Sequence, residues 1–194
     1  GYIAALTERV QIGSGILPIY TRTPTLLAMT AAGIDALSDG RCVLGLGASG
    51  PQVIEGWHGV PYDKPLARTR EIVEICRKVW AREDRLTHDG PLYPLPLPEG
   101  QGTGLGKPLK IIAHPVRPRI PIHVAALGEK NVELTAEVAD GWLPLFYLPE
   151  KAKEVFGRSL EAGRAKRDAD LAPLDICAGG LVCIGEPAET KPIL

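Results

Sequence analysis

Sulfur chemistry has little to work with in this chain. Its four cysteines, Cys42, Cys76, Cys177 and Cys183, stand far apart with no CxxC pair, which argues against a disulfide framework and against a thiolate metal site. Each lies inside an apolar run, so buried, reduced thiols are expected. The histidines, His58, His88, His114 and His123, share no ligand spacing either, and no metal is assigned. An excess of one charge is also missing. Lysine and arginine total 22 against 23 aspartates and glutamates, a net charge of -1, which offers nucleic acid or an anionic membrane no foothold. No uninterrupted apolar run reaches membrane length, and no basic segment with a cleavage site precedes an apolar one. The chain therefore reads as soluble and cytoplasmic.

What is present suits a single α/β domain: 194 residues, 45% of them hydrophobic, enough for a real core. The organising stretch is residues 40–80. A short apolar run at 41–47 (Cys42, Val43, Leu44, Leu46) reads as a parallel strand covered on both faces. Glycines at 47–50 turn the chain, and a proline-punctuated excursion (51–65) leads into an amphipathic helix. Ile72, Ile75, Cys76, Val79 and Trp80 form its apolar stripe; Arg68, Arg70, Glu71, Glu74, Arg77 and Lys78 form its charged outer face. A strand that ends in glycines and leads to a helix leaves backbone N–H groups open to a ligand's oxygens.

The remaining segments repeat the alternation. Residues 2–6 resemble the end of a helix already under way, and the chain stops just after a strand-like run; both suggest a piece of something longer. Residues 10–17 read as a strand thinned by Gly13, Ser14 and Gly15, a pattern of bulges and of ligands lying close to backbone. Thr23 and Pro24 are a helix N-cap and first position, followed by Leu26, Leu27, Thr30, Ile34 and Leu37 as the inner face and a stop at 38–40. Residues 89–119 are a proline-rich insertion loop or interface arm, with a short strand at 109–113. A third strand spans 120–126 and opens a helix at 129–139 with Val132, Thr135, Ala136 and Ala139 inward. A strand at 142–146, a helix at 149–167 and a strand run at 174–184, bulged at Gly179 and Gly180, complete five strands of a parallel sheet. The sheet is either open or closed into a barrel; periodicity does not choose.

Gly45, Gly47 and Gly50 spell GxGxxG after a strand, the outline of a dinucleotide-binding turn. The context opposes that reading. Pro51 and the loop behind it keep a long helix from starting at once, and the position of a ribose-binding acid, near Arg70 and Glu71, falls inside a helix. A phosphate- or flavin-type ligand at the carboxyl rim of a barrel fits better.

Four stretches, GSGILPIYTRTPTLLAMTAAGIDALSDGR, VLGLGASGPQVIEGWHGVPYDKPLARTREIVEI, IPIHVAALGEKNVELTAEVADGWLP and GGLVCIGE, resemble the luciferase-like superfamily in its coenzyme F420-dependent oxidoreductase branch. The resemblance runs from about residue 10 to residue 186. It implies a (β/α)8 TIM barrel, incomplete here, with about five central βα units: the chain begins after the first two strands and stops before the last. It also implies a non-proline cis peptide at Gly15-Ile16 behind the deazaflavin ring. Gly47, Ala48, Ser49 and Gly50 would lie beside the cofactor, and Ala126, Leu127 and Gly128 would bring backbone N–H groups to its phosphate. Pro144 and Leu145 are further rim candidates. Sugar-phosphate dehydrogenases of this branch carry a carboxylate where Gly50 stands, so neither that substrate nor that acid is carried over.

The resemblance implies hydride transfer between deazaflavin and a small organic substrate, with F420 as cofactor and a homodimer as assembly. The polar residue that works beside the ring would precede Gly1, which leaves the catalytic residues unknown. An FMN-dependent monooxygenase of the same superfamily is the alternative within enzymes, and a noncatalytic flavin-binding protein the alternative outside them. Glu55, His58 and Trp57 read as loop surface, Ser49 as a rim hydroxyl, and Trp142 as core.

Overall fold

In the computed structural model, which describes residues 1–145, 147–179 and 185–186, six short strands form one parallel sheet. The elements alternate: α1 (Tyr2–Leu6), β1 (Ile12–Gly13), β2 (Leu17–Pro18), α2 (Pro24–Leu37), β3 (Cys42–Gly47), α3 (Pro51–Ile54), α4 (Pro65–Ala81), β4 (Ile122–Ala125), α5 (Glu129–Val138), β5 (Gly141–Leu143), α6 (Pro149–Arg164) and β6 (Asp175–Ile176). The order across the sheet is β1-β3-β4-β5-β6, with β2 also on β3. This order never reverses. Right-handed crossovers then place every helix on the same side of the sheet, the winding of a barrel rather than of a doubly wound sheet.

The first strand is broken where its glycines stand. Ile12 pairs with Cys42, but Leu17 pairs with Leu46, one residue more than the partner spans, so Ser14, Gly15 and Ile16 form a bulge. The Gly15-Ile16 peptide is cis. Ser14 Oγ fastens the bulge to β3, donating to Gly45 O (2.8 Å) and accepting from Gly45 N (3.0 Å).

The cap of α2 forms as its sequence requires: Thr23 Oγ1 accepts from Leu26 N, and Pro24 takes the first helical position. The inner face differs from expectation. Leu27, Ala28, Ala31, Ala32 and Asp35 are buried, whereas Leu26, Thr30 and Leu37 are exposed. Both stripes of this helix are apolar, so periodicity could not rank them; alanines allow the closer approach and occupy the contact with α4. In α4 the predicted stripe, Ile72, Ile75, Cys76, Val79 and Trp80, is buried, and Trp80 Nε1 donates to Ala28 O (2.9 Å). Glu71 departs from the outer face. It is 6% exposed because its carboxylate accepts from Leu92 N and Tyr93 N and faces His88 Nε2 at 3.3 Å, pinning the proline-rich segment to the helix.

No strand forms at 109–113. Leu86 N and Arg82 Nε instead bind the carbonyls of Leu109 and Ile111. The inner face of α5 is as read: Val132, Thr135, Ala136 and Ala139 are buried. Trp142 is fully buried, in edge contact with Phe156 and Tyr147. Helix α6 stops three residues short of 167, where Arg167 turns back to the carbonyls of Ala136 and Ala139. Among the described residues of the last strand run, Asp175–Ile176 pairs with β5; residues 180–184, with Gly180 and Cys183, and Phe146 of the fourth run lie outside the described residues.

Carboxylate and guanidinium clamps gather at the amino ends of the strands. Buried Asp35 receives Arg117 and Cys42 N. Asp140 receives Arg119, Arg77 and Ile122 N. The guanidinium of Arg41 holds the carbonyls of Ala4, Thr7 and Val10.

Candidate functional site

At the opposite, carboxyl end of the strands the loops enclose a cleft of about 680 Å³. The bulge supplies Gly15 and Ile16, the turn after β3 supplies Ala48 and Ser49, and the junction of β4 with α5 supplies Ala126, Leu127 and Gly128. Three segments singled out in the sequence therefore meet on one cavity. Pro144 and Leu145 line it as well. Gly47 and Gly50 sit behind the wall: Gly47 gives room to Ile16, and Gly50 caps α3. Five lining residues were not singled out as site residues: Tyr62, Ala125, Asn131, Leu143 and Cys177. Asn131 and Leu143 follow from the βα spacing once Gly128 is the helix cap. Tyr62 had no local signal, because the path of residues 51–64 decides where its ring lands. Cys177, expected to be buried, is exposed at the cleft because β6 ends just before it; Cys42 and Cys76 are buried, and burial pushes their thiols up to about 11 and about 12.

No charged side chain lines the cavity among the described residues. What it offers an anion is backbone. Helix α5 starts at Gly128 without a side-chain cap, and the N–H groups of Gly128, Glu129 and Lys130 find no protein acceptor among the described residues. Those groups and the helix dipole suit an anionic oxygen. Ser49 holds a left-handed backbone (φ 59°), and Tyr62 Oη donates to its carbonyl at 3.4 Å.

Tyr62 is held from behind. Its ring lies 5.1 Å from that of Tyr20, whose hydroxyl donates to Asp63 O. Burial, and then Tyr62, pushes the Tyr20 phenol up to about 12, so it stays a donor. The Arg68 guanidinium covers the Tyr20 and Tyr93 rings and grips Asp63. One layer below the cleft floor, His123 packs over Gly141, where a Cβ would overlap the imidazole.

Residues 1–190 match the family described as luciferase-like monooxygenase. The chain belongs to that family. This luciferase-like chain is 51% identical over 195 residues to a Mycobacterium tuberculosis protein named for the coenzyme F420-dependent oxidoreductases, covering 97% of this chain and 56% of that one. It is 34% identical over 165 residues to a 5,10-methylenetetrahydromethanopterin reductase of Archaeoglobus fulgidus, covering 84% and 45%. The luciferase-like chain thus spans about half the length of the curated relatives it matches. In three dimensions it resembles an F420-dependent secondary alcohol dehydrogenase solved with an F420-acetone adduct, with a TM-score of 0.73 at 20% identity, over 91% of this chain and 51% of that one. That likeness is one of fold: the parallel sheet described here is part of a TIM barrel, incomplete in this chain.

Proposed function

We propose that the whole protein transfers a hydride between coenzyme F420 and a small organic substrate, and that this chain supplies most of the cofactor's cradle. The observation that carries this reading is the convergence of the bulge at Gly15 and Ile16, the turn at Ala48 and Ser49, and the open start of α5 on one uncharged cleft. When bound, the deazaflavin supplies the hydride chemistry. Ile16, Ala48 and Ser49 would hold the ring, and the N–H groups at the start of α5 would hold an anionic tail. Tyr62, braced by Tyr20 and Arg68, closes the side nearest residues 51–64. Binding and the exclusion of water are the work of these side chains; none of them is a carboxylate, imidazole or amine that would carry a proton.

The same reading makes the protein a homodimer. The outer face of α2 carries no charge, Met29 is 55% exposed beside Ile112 at 94%, and both line one groove with Leu109. The groove's rim also carries Lys78, Arg82, Asp84 and Lys110, so the apolar stripe of α2 and residues 109–112 would form the centre of a self-contact and the charges its edge. Residues 89–119 are then the arm that extends this face.

Titration of the chain with F420 and with FMN, followed by absorbance and fluorescence, tests the reading. Saturable binding of F420 with weak or no binding of FMN is expected. Binding of FMN alone would overturn it.

A further inference from the structure

Asn131 lines the cleft, yet its Oδ1 is buried and has no hydrogen-bond partner among the described residues. Buried carbonyl oxygens without a donor are uncommon, and one that also lines a cleft is placed to meet a donor brought by a ligand. The residue is the third of α5. Its own backbone N–H donates to Gly128 O at 2.9 Å, so it sits in the same first turn as the open N–H groups of Gly128, Glu129 and Lys130.

We propose that Asn131 reads the polyol chain that joins the ring of the ligand to its phosphate. The inference rests on the cofactor reading above and goes further by naming the residue and the chemical group it recognises. An ionised phosphate offers no donor, and the backbone groups at the start of α5 already meet it. An acceptor left over beside that anion site needs a hydroxyl, and a hydroxylated linker between ring and phosphate presents one. Thr135, one turn further along α5, also has a buried hydroxyl without a partner. It does not line the cleft and serves as the internal control.

Two probes separate the parts: F420, and 8-hydroxy-5-deazariboflavin, which keeps the polyol and lacks the phosphate. Asn131→Ala is expected to weaken both by a similar factor, roughly tenfold. Asn131→Asp keeps the acceptor and adds a negative charge, so it should hold the phosphate-free probe near wild type and lose F420. Thr135→Val should bind both as wild type does. In the ligand-free chain, Asn131→Leu and Thr135→Val should each leave the unfolding midpoint unchanged or raise it, because an unpartnered oxygen is removed.

Affinities unchanged in Asn131→Ala, a loss confined to F420 in that variant, or a midpoint several degrees lower in Asn131→Leu would each overturn the proposal while leaving the cofactor reading intact. A wild-type chain that binds neither probe overturns both.

Discussion

A Cβ on Gly47 would fall inside the Cδ1 atom of Ile16, so the Ile16 side chain keeps its present place against strand β3 because position 47 has no side chain. Gly45 stands in the same relation to the carbonyl oxygen of Ser14. Two of the three glycines that look like a dinucleotide motif are spacers for the bulge.

Their replacement should separate flexible from rigid obstruction. In Gly47→Ala the obstacle is the end of a side chain, which can rotate; a stability loss of about 1 kcal/mol is expected, with weaker F420 binding because Ile16 leaves the cleft floor. In Gly45→Ala the obstacle is backbone, and the loss should approach about 3 kcal/mol. Urea unfolding of both variants checks the order, and a larger loss for Gly47→Ala would contradict it.

Asp140 should govern stability in acid. Burial favours its protonated form, but the Ile122 N–H, Arg119 and Arg77 outweigh burial and hold the carboxyl below its ordinary value. A depressed carboxylate contributes its full share above the unfolded pKa of about 4, and that share is lost as pH falls through the lower folded value. The wild-type unfolding free energy should therefore drop steeply below about pH 4. Asp140→Asn should be less stable by about 3 kcal/mol near neutrality, with two arginines left unpaired, and should show a shallower decline in acid.

His123 acts with the same sign in a higher pH window. Burial lowers its pKa, and the opposing pull of Asp175, 3.7 Å away, and then of Asp140 does not restore it. Between the folded value and about 6.5 the unfolded chain binds more protons, so stability should rise with pH through that interval and level off above it. His123→Gln should flatten the slope. An NMR titration that placed His123 above about 6.5 would contradict this assignment.

The groove between α2 and the 109–112 segment, apolar at Met29, Leu109 and Ile112 and edged by Lys78, Arg82, Asp84 and Lys110, should control association. A charge at its centre, in Met29→Asp or Ile112→Asp, would face its own copy across a two-fold axis. Light scattering is expected to show a dimer for the wild type and a monomer for either variant, with unchanged helical circular dichroism. A wild-type monomer at all concentrations would remove the groove from consideration.

Legibility in the sequence followed locality. The cap at Thr23 and Pro24, the inner stripes of α4 and α5, and the burial of Trp142 depend on neighbours within a few turns, and all could be read. The cis bond at Gly15-Ile16 came through family resemblance, since no local rule points to it. Longer-range features were hidden. Glu71 looks like any helix-surface acid until the amides of Leu92 and Tyr93 fold back onto it. The two faces of α2 are equally apolar, so their order depends on which one fits α4. In the cleft, glycines and the start of α5 were visible as turn and cap signals, whereas Tyr62 and Asn131 become site residues only through the path of residues 51–64 and the inward turn of the helix.

The clamps built on Asp35, Asp140 and Arg41 all sit at one end of the sheet, while the cleft opens at the other and contains no ion pair among its described walls. Loops at the open end can consequently be exchanged, lengthened or recharged to suit a new substrate while the far end keeps the strands in register. Replacements at the clamped end would instead register first as a change in melting behaviour.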